Sequence, residues 1–408
     1  MKLKVWLPFL ILFFFAGVIF KLPVMFYLPP VILFLMLISA AWQRIALDEV
    51  TYIRKWQYRR GFVGEEIPLK LEIHNEKPLP ALWLETSDPW PKPIAPNEEG
   101  VLAISHKPTE GYLVNYFNLL WNGSESRKYT LKMRSRGYFQ VGPALLRGGD
   151  FFSLGETEKT IAPAESVVVY PEILSLHPLQ LKTRHPLGDQ PTRNNIMEDP
   201  NFPFGIREYL PGDEFRRIHW NATARTGVMQ SKVFQPVTSR MMEVCLNVST
   251  SELVFGGYYP ELLEYLVKLA ATIIYQGYEA GYSVGLLSNG GMSGGGLPFN
   301  IQPSRSRHQL MRLLEALAGI QPITIARFEN HLLREMHNIT YGSSLVIITM
   351  IFSAGLKEAL FRLKRTQKNI TVIFAGENFP AKIPGIEIIH LPIKGAQGIV
   401  GKEETRSG

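Results

Sequence analysis

The sequence has little cysteine and little charge, and both scarcities exclude classes of protein. A single cysteine, Cys245, stands among 408 residues, which excludes a disulfide-stapled scaffold and a zinc site built on several cysteines. Charged residues make up 19% of the chain, below the ~25% usual for soluble proteins, and hydrophobic residues make up 46%. The chain is therefore not disordered, and part of it is expected to avoid water.

The net charge of +7 is unevenly distributed. Residues 1–45 hold four basic side chains and no acid, namely Lys2, Lys4, Lys21 and Arg44. The other 363 residues hold 39 basic and 36 acidic side chains, which is close to balance. A nucleic-acid-binding protein usually carries a clustered basic surface, so no nucleic-acid partner is expected.

Two uncharged apolar segments begin the chain. Val5–Phe20 has 16 residues and Leu22–Trp42 has 21, whereas a helix needs ~20 apolar residues to cross a bilayer. The second segment qualifies alone, and the first does so if its flanking lysines extend to the interface. Residues 1–45 are thus predicted to form a transmembrane helical hairpin that contacts the lipid bilayer through residues 5–42.

The basic flanks predict the orientation of this hairpin. Lys2 and Lys4 precede it, and Arg44, Arg54, Lys55, Arg59 and Arg60 follow it. The positive-inside rule then places the amino terminus and everything after residue 44 in the cytoplasm, as in a multi-pass cell-membrane protein. Two alternatives stay open: a signal peptide cleaved near Ser39-Ala40-Ala41, and a single crossing that places the rest of the chain outside the cytoplasm.

Residues 46–172 are predicted to form a β-rich, sandwich-like domain. Apolar and polar residues alternate over Ile67–Ile73, the period of a half-buried strand, and turn residues separate further strand-like runs. These runs are Ala81–Glu85, Gly111–Trp121, Arg127–Met133 and Ser166–Tyr170. Trp83, Trp90 and Trp121 are interpreted as core or rim aromatics.

Residues 240–393 alternate between strand-like and helix-like segments, which predicts a doubly wound α/β domain with a parallel sheet. Residues 173–239 form a connecting segment that is irregular and proline-rich up to residue 205. Residues 394–408 form a flexible tail. The predicted fold class is therefore multidomain α+β: two transmembrane helices, a β-sandwich-like domain and a doubly wound α/β domain.

The connecting segment holds a dense group of charged and aromatic residues between Gly205 and Arg225. Pro211-Gly212-Asp213 predicts a turn, and Asp213 is the expected N-cap of a helix over Glu214–Trp220. The arginines can pair with carboxylates through bidentate contacts, so a lattice of Arg, Glu and Asp side chains is expected here.

This segment resembles the bacterial family called domain of unknown function 58 (DUF58). The family string is R-E-Y-x-P-G-D-x-x-R-x-I-x-W-x-x-x-A-R. The chain matches it at Arg207, Glu208, Tyr209, Pro211, Gly212, Asp213, Arg216, Ile218, Trp220, Ala224 and Arg225. The resemblance implies a membrane-anchored protein with a von Willebrand factor A-like domain. Genes of this family often neighbour MoxR-type AAA+ ATPases, which implies such an ATPase as a partner and leaves other envelope proteins possible.

A von Willebrand A domain can hold a divalent ion on an Asp-x-Ser-x-Ser string after its first strand and an Asp after its fourth. Here the first position reads Asn247-Val248-Ser249-Thr250-Ser251, and no acid occurs in Thr349–Ser353. Because Mg²⁺ usually needs one or two carboxylates, a degenerate site at Asn247, Ser249 and Ser251 is expected, with no cofactor or tightly bound metal.

The preferred function is a membrane-anchored, non-enzymatic scaffold or adaptor that works with a MoxR-type ATPase in envelope or complex maturation. One alternative is an enzyme that uses Glu208, Asp213, Glu214 and His219 as acid–base groups. The other is an extracytoplasmic, adhesin-like binding module. No zinc-protease, phosphate-loop or dinucleotide motif is present, and no catalytic residue is predicted.

Overall fold

The computed structural model describes residues 3–98, 100–149, 155–175, 197–210, 213, 215–237, 241–251, 259–292, 298–324, 326–339, 343–366, 369–377 and 383–393. These residues belong to two compact units, Met1–Tyr170 and Pro171–Gly408. The predicted tail at residues 394–408 lies outside the described residues.

The first unit opens with two apolar helices, α1 (Leu3–Phe20) and α2 (Pro23–Ile45). A tight turn joins them at Lys21, whose φ is 48°. Pro23 opens α2, a position at which its fixed φ suits the helix and its missing N–H loses no hydrogen bond. The helices contact each other near the turn, where the rings of Phe14 and Phe26 stack 5.0 Å apart.

Among the described residues, α2 is the helix that is long and apolar enough to cross a membrane. Its 23 residues extend ~35 Å, which exceeds the ~30 Å hydrocarbon core of a bilayer. The apolar helix Trp6–Phe20 is shorter than the ~20 residues that a crossing needs, so the predicted second crossing, and with it a multi-pass protein, is not supported. An amino-terminal apolar helix of this kind occurs in membrane anchors and in signal sequences.

Among the described residues of the first unit, eleven strands follow the helices. They are β1 (Val50–Trp56), β2 (Arg60–Phe62), β3 (Glu66–Asn75), β4 (Ala81–Pro91), β5 (Leu102–Ile104), β6 (Glu110–Leu119), β7 (Ser124–Lys132), β8 (Gly137–Val141), β9 (Ala144–Gly149), β10 (Glu156–Ala162) and β11 (Glu165–Tyr170). They form three sheets with the orders β1-β3-β7, β10-β9-β4-β6-β5 and β2-β11-β8. All neighbours are antiparallel except β2 and β11. The β-rich prediction is confirmed in its strand content.

Side chains from all three sheets form one hydrophobic core in this unit. The alternation in β3 has the expected result, because Ile67, Leu69, Leu71 and Ile73 are all buried. Trp90 is also buried, and its indole N–H donates to the carbonyl of Ile94 at 2.9 Å. Trp121, in contrast, is 63% exposed and therefore takes no part in the core.

Arg54 corrects the charge argument for membrane orientation. It lies on β1, and its guanidinium is fully buried against the carboxylate of Asp88, with Nε–Oδ2 at 2.7 Å and Nη2–Oδ1 at 2.9 Å. Its Nη1 also donates to Glu165 at 3.1 Å and to the carbonyl of Pro163 at 2.9 Å. A charge neutralised inside the domain does not act at the membrane surface, so Arg54 is a core residue of the first unit.

The second unit contains β12 (Met197–Glu208), α3 (Trp220–Thr226), β13 (Gln230–Val237), β14 (Met241–Leu246), α4 (Pro260–Glu279), β15 (Ser283–Ser288), β16 (Gly290–Met292), β17 (Phe299–Ser304), α5 (Gln309–Gly319), β18 (Ile320–Thr324), α6 (Phe328–Glu335), β19 (Ser344–Thr349), α7 (Ala354–Thr366), β20 (Ile370–Phe374) and β21 (Glu387–His390). Its main sheet has the order β17-β15-β14-β19-β20-β21. Five neighbouring strands of this sheet are parallel, namely β15, β14, β19, β20 and β21. The edge strand β17 pairs antiparallel with β15.

Helices cover both faces of this sheet, as expected for alternating strands and helices. α6 and α7 contribute Phe328, Leu332 and Leu360 to the core on the face of β14 that carries Cys245. α4 packs on the opposite face, where its Gly277 lies against the side chain of Met242. The mixed α and β composition is therefore confirmed.

One loop prediction in the second unit is wrong. The segment up to residue 205 was expected to be irregular because of its prolines, but β12 begins at Met197. Its pairing with β13 shifts register on both sides of Pro203, which is how a two-stranded ribbon tolerates proline. Outside the main sheet, strand β16 pairs antiparallel with β18.

Candidate functional site

The DUF58-like segment is the excursion between the two strands of an antiparallel ribbon. β12 ends at Glu208, β13 begins at Gln230, and a 3₁₀ turn (Phe215–Arg217) and helix α3 lie between them. Backbone bonds tie the excursion to the ribbon: the Tyr209 amide donates to Met229 at 2.9 Å, and the His219 amide donates to Gln230 at 2.8 Å. The segment is therefore a fixed structure and not a free linker.

Arg207 and Asp213 form the ion pair that organises its first half. Arg207 Nη2 lies 2.6 Å from Asp213 Oδ1, and the Leu210 amide donates to Asp213 Oδ2 at 3.1 Å. The Arg207 guanidinium and the Leu210 N–H lower the pKa of Asp213, so this carboxyl is ionised at neutral pH. The tyrosine hydroxyl of Tyr209 donates to the Asp213 carbonyl at 3.3 Å. Part of the predicted lattice is thus present, with Asp213 as the acceptor of a turn.

The predicted helix over Glu214–Trp220 is wrong, and so is its predicted cap. Helix α3 begins at Trp220, and its N-cap is His219, whose Nδ1 accepts the Ala222 amide at 3.1 Å. α3 ends at Gly227, where φ is 71°, a backbone conformation that favours glycine. The helix moves because the Asp213 carboxylate is already bonded to Arg207 and the Leu210 amide.

The remaining signature residues divide by exposure. Glu208 and Arg225 are exposed, and Arg225 lies in the last turn of α3. Pro211, Gly212 and Glu214 lie outside the described residues, and Arg216 is described only through the backbone of the 3₁₀ turn. The predicted acid–base candidates of the enzyme alternative are Glu208, Asp213, Glu214 and His219. Of these, the Asp213 carboxylate accepts the Leu210 amide and the His219 ring accepts the Ala222 amide, so both side chains stabilise the local backbone. The carbonyl of Glu208 accepts Arg207 Nη1 at 3.0 Å.

Large apolar side chains are exposed along this segment. Among the described residues of the second unit, nine large hydrophobic side chains are exposed, and six of them lie between residues 206 and 229. The six are Ile206, Leu210, Phe215, Trp220, Val228 and Met229. Phe215 is 73% exposed and Trp220 is 66% exposed. Such a concentration of exposed apolar side chains is typical of a protein-binding surface.

The predicted degenerate ion site is a closed network of neutral side chains at the carboxyl edge of the main sheet. Asn247 Nδ2 donates to Thr349 Oγ1 at 3.0 Å, and Asn289 Nδ2 donates to Asn247 Oδ1 at 3.2 Å and to Ser249 Oγ at 3.3 Å. Asn247, Asn289 and Thr349 are buried. Ser251 lies in the half-buried bend that follows Ser249. Of the three predicted residues, Asn247 and Ser249 are therefore brought together.

This network does not fit a divalent cation. Hard cations need oxygen ligands with available lone pairs and usually a carboxylate, but here amide N–H groups donate to the Asn247 and Ser249 oxygens. Among the described residues, no group of three or more His, Cys, Asp or Glu side chains could hold a metal ion. The contacts instead join the ends of β14, β15 and β19, so the chemistry of this edge is structural.

Asn289 is a residue of this network that sequence reasoning missed. It directly follows β15, the neighbour of β14, and its Oδ1 accepts the Val248 amide at 3.0 Å. Since parallel strands bring their carboxyl ends to one edge, the position of Asn289 after the second strand was a usable signal.

Comparison with known proteins finds a family match within the second unit. Residues 205–385 match the family model described as "Protein of unknown function DUF58". The match covers the signature segment and most of the main sheet, and agrees with the resemblance of the string at Arg207–Arg225. One curated relative is "Uncharacterized protein YeaD" of Bacillus subtilis (strain 168), 22% identical over 232 residues. That alignment covers 56% of this chain and 52% of the relative, so the chain spans about half the length of this relative.

Two solved structures show weak likenesses to this chain. The CARDB domain of the PF1109 protein from Pyrococcus furiosus is 10% identical, covers 29% of this chain and 91% of that chain, and has a TM-score of 0.20. The sporulation control protein Spo0M from Bacillus subtilis is 9% identical, covers 32% of this chain and 51% of that chain, and has a TM-score of 0.19. Scores this low carry no argument about fold or function.

Proposed function

We propose that the chain is a membrane-anchored, non-enzymatic scaffold whose DUF58 segment binds a protein partner. The observation that carries the proposal is the set of exposed apolar side chains at residues 206–229, held on a ribbon by internal backbone and ion-pair contacts. A rigid surface with aromatic anchors loses little conformational entropy when it binds. Asp213 and His219 are engaged in holding that surface, which supports a binding role over acid–base catalysis.

The proposed partner is a MoxR-type AAA+ ATPase, as the DUF58 resemblance implies, and the proposed process is the maturation of envelope or other protein complexes. The α/β domain would be von Willebrand A-like. Supporting this are its parallel sheet with one antiparallel edge and the placement of Asn247 and Ser249 just after β14. Its neutral edge network favours a partner that binds without a bridging metal ion, which disfavours an ion-dependent adhesin.

The proposed location is the cell membrane, with the domains on the cytoplasmic side. α2 would be the anchor that crosses the bilayer. α1 folds back at Lys21 and contacts α2 near the turn. The carboxyl end of α2 would lie on the cytoplasmic side. Arg44, Arg59 and Arg60 remain as basic flanks of that side.

Replacing Trp220 with serine is expected to weaken co-purification of the ATPase at least tenfold without unfolding the protein. Aromatic anchors at the centre of an interface typically contribute 2 kcal/mol or more, roughly a thirtyfold change in affinity. Exposed side chains contribute little to folding, so the thermal midpoint should hardly change. The measurement is quantitative mass spectrometry of proteins that co-purify with tagged full-length chain from gently solubilised membranes, with and without ATP.

The matched control is Phe361→Ser, which changes an aromatic side chain that is 51% exposed on α7, outside residues 206–229. It should leave the ATPase yield unchanged. Equal losses for both variants, or none for Trp220→Ser, would contradict the role of the segment.

A further inference from the structure

A lysine of the first unit binds the carboxyl-terminal end of α2. Lys77, only 5% exposed, donates from Nζ to the carbonyl of Ile45 at 2.9 Å and also to the carbonyl of Ala46. Ile45 is the last residue of α2 and Ala46 is its C-cap, so neither carbonyl has a partner within the helix. A buried cation here also interacts favourably with the negative end of the helix dipole.

The same lysine supports the turn between β6 and β7. The carbonyl of Lys77 accepts the Asn122 amide at 3.1 Å. Two residues earlier, Asn75 Nδ2 donates to the carbonyl of Leu120 at 2.9 Å, and the Asn75 amide donates to the carbonyl of Gly123 at 2.8 Å. The turn at residues 120–123, here called the β6–β7 tip, is therefore joined to the end of α2 through one segment of chain.

The β6–β7 tip presents two large apolar side chains to solvent. Leu120 is 56% exposed and Trp121 is 63% exposed. Tryptophan is enriched at the membrane–water interface, where its ring is in apolar surroundings and its N–H stays near water.

We infer that the β6–β7 tip is a second membrane contact, in which Leu120 and Trp121 enter the headgroup region of the leaflet from which α2 emerges. This inference rests on the proposed anchoring by α2. At ~1.5 Å per residue, α2 is slightly longer than the hydrocarbon core, so Ile45 lies at the headgroup level when α2 spans. Since Lys77 binds Ile45 and supports the tip, the tip lies at the same level. The occupant is thus a lipid surface.

The test places an environment-sensitive fluorophore on Leu120→Cys in the full chain, reconstituted into phosphatidylcholine vesicles with some phosphatidylglycerol. Cys245 is completely buried and is the chain's single cysteine, so labelling of the folded protein targets the introduced residue. The matched control is Ile104→Cys, which is 98% exposed. Ile104 pairs with Gly111 near the start of β6, about 30 Å along the strand from the tip at ~3.3 Å per residue.

The expected result is a blue-shifted emission at residue 120 that lipid-borne quenchers reduce several-fold more than the emission at residue 104. The emission at residue 120 could instead be blue-shifted, unaffected by detergent and not reduced by lipid-borne quenchers. That result would mean that a second copy covers the tip, and it would overturn the inference. Water-like emission at both positions would overturn it too. Flotation of the vesicles after alkaline washing distinguishes failure of the anchor from failure of the inference. A chain that fails to float refutes the anchor and the inference with it. A chain that floats but has a water-exposed tip refutes only the inference.

Discussion

The Glu243→Gln variant is expected to be more stable than the parent chain at alkaline pH, by about 5 kcal/mol, with little difference in acid. Glu243 lies in the middle of β14, between β15 and β19, and is 1% exposed. No described residue makes a hydrogen bond to its Oε1. Its carboxyl fills the space that a Cβ at residue 285 would occupy, so Gly285 is what leaves room for it. Burial raises the pKa of Glu243 from 4.5 to about 8.

The sign of the pH dependence follows from this raised pKa. Below pH 4.5 the carboxyl is protonated in both the folded and the unfolded chain, so it has no pH-dependent cost. Between pH 4.5 and about 8 the unfolded chain releases a proton that the folded chain retains, and stability falls as pH rises. Above pH 8 the full cost is present. Glutamine cannot ionise, so the variant lacks this loss.

The measurement is the urea concentration at which half of the second unit is unfolded, in the detergent-solubilised full chain. Pulse proteolysis detects the unfolding at each pH across this range. Glu279→Gln is the control, because Glu279 is exposed at the end of α4. The parent and the control should lose stability together as pH rises while Glu243→Gln does not. Parallel curves for all three proteins would show that Glu243 is not a buried neutral acid.

The Asp88→Ala variant is expected to destabilise the first unit by about 3–5 kcal/mol, because it leaves the buried guanidinium of Arg54 without its bidentate partner. Both side chains are fully buried, so water cannot replace the lost carboxylate. Glu165 retains one contact with Arg54 at 3.1 Å but is itself partly exposed. Replacing both residues, as in Arg54→Leu with Asp88→Leu, should cost less than the two single changes added together.

Thermal unfolding of the full chain in detergent would measure these differences, with Glu158→Ala as the control. Glu158 forms an ion pair with Arg147 at 3.1 Å, and both side chains are nearly half exposed. Exposed pairs contribute about 0–1 kcal/mol, so the control should hardly change the midpoint. A cost for Asp88→Ala no larger than that of the control would contradict a buried, coupled pair.

The sequence predicts the strands of the first unit well because alternation has a direct cause. A strand with one buried face needs an apolar side chain at every second position, and Ile67–Ile73 satisfies that rule. The alternation of apolar and polar residues does not show which charged residues are buried. Arg54 and Glu243 look like surface residues in sequence, and only the fold reveals that Asp88 faces one and that Gly285 leaves space for the other.

The candidate site was predicted in composition but not in local structure. The string from Arg207 to Arg225 indicated an ion-pair lattice, and the Arg207–Asp213 pair is present. The helix start was misplaced because Asp213 and His219 are both able to cap, and sequence alone does not show that Asp213 is already bonded to Arg207. Exposure of Phe215 and Trp220 was also not predictable, since aromatic residues in a charged segment are usually expected to pack.

Photo-cross-linking from residue 215 tests the scaffold account most directly. A photoreactive phenylalanine analogue in place of Phe215 would be activated in living cells, and the adducts of the full chain identified by mass spectrometry. We expect an adduct with an AAA+ ATPase that depends on ATP, and no such adduct when the analogue replaces Phe361. Adducts with secreted or wall proteins, or none with an ATPase, would contradict both the proposed partner and the cytoplasmic location.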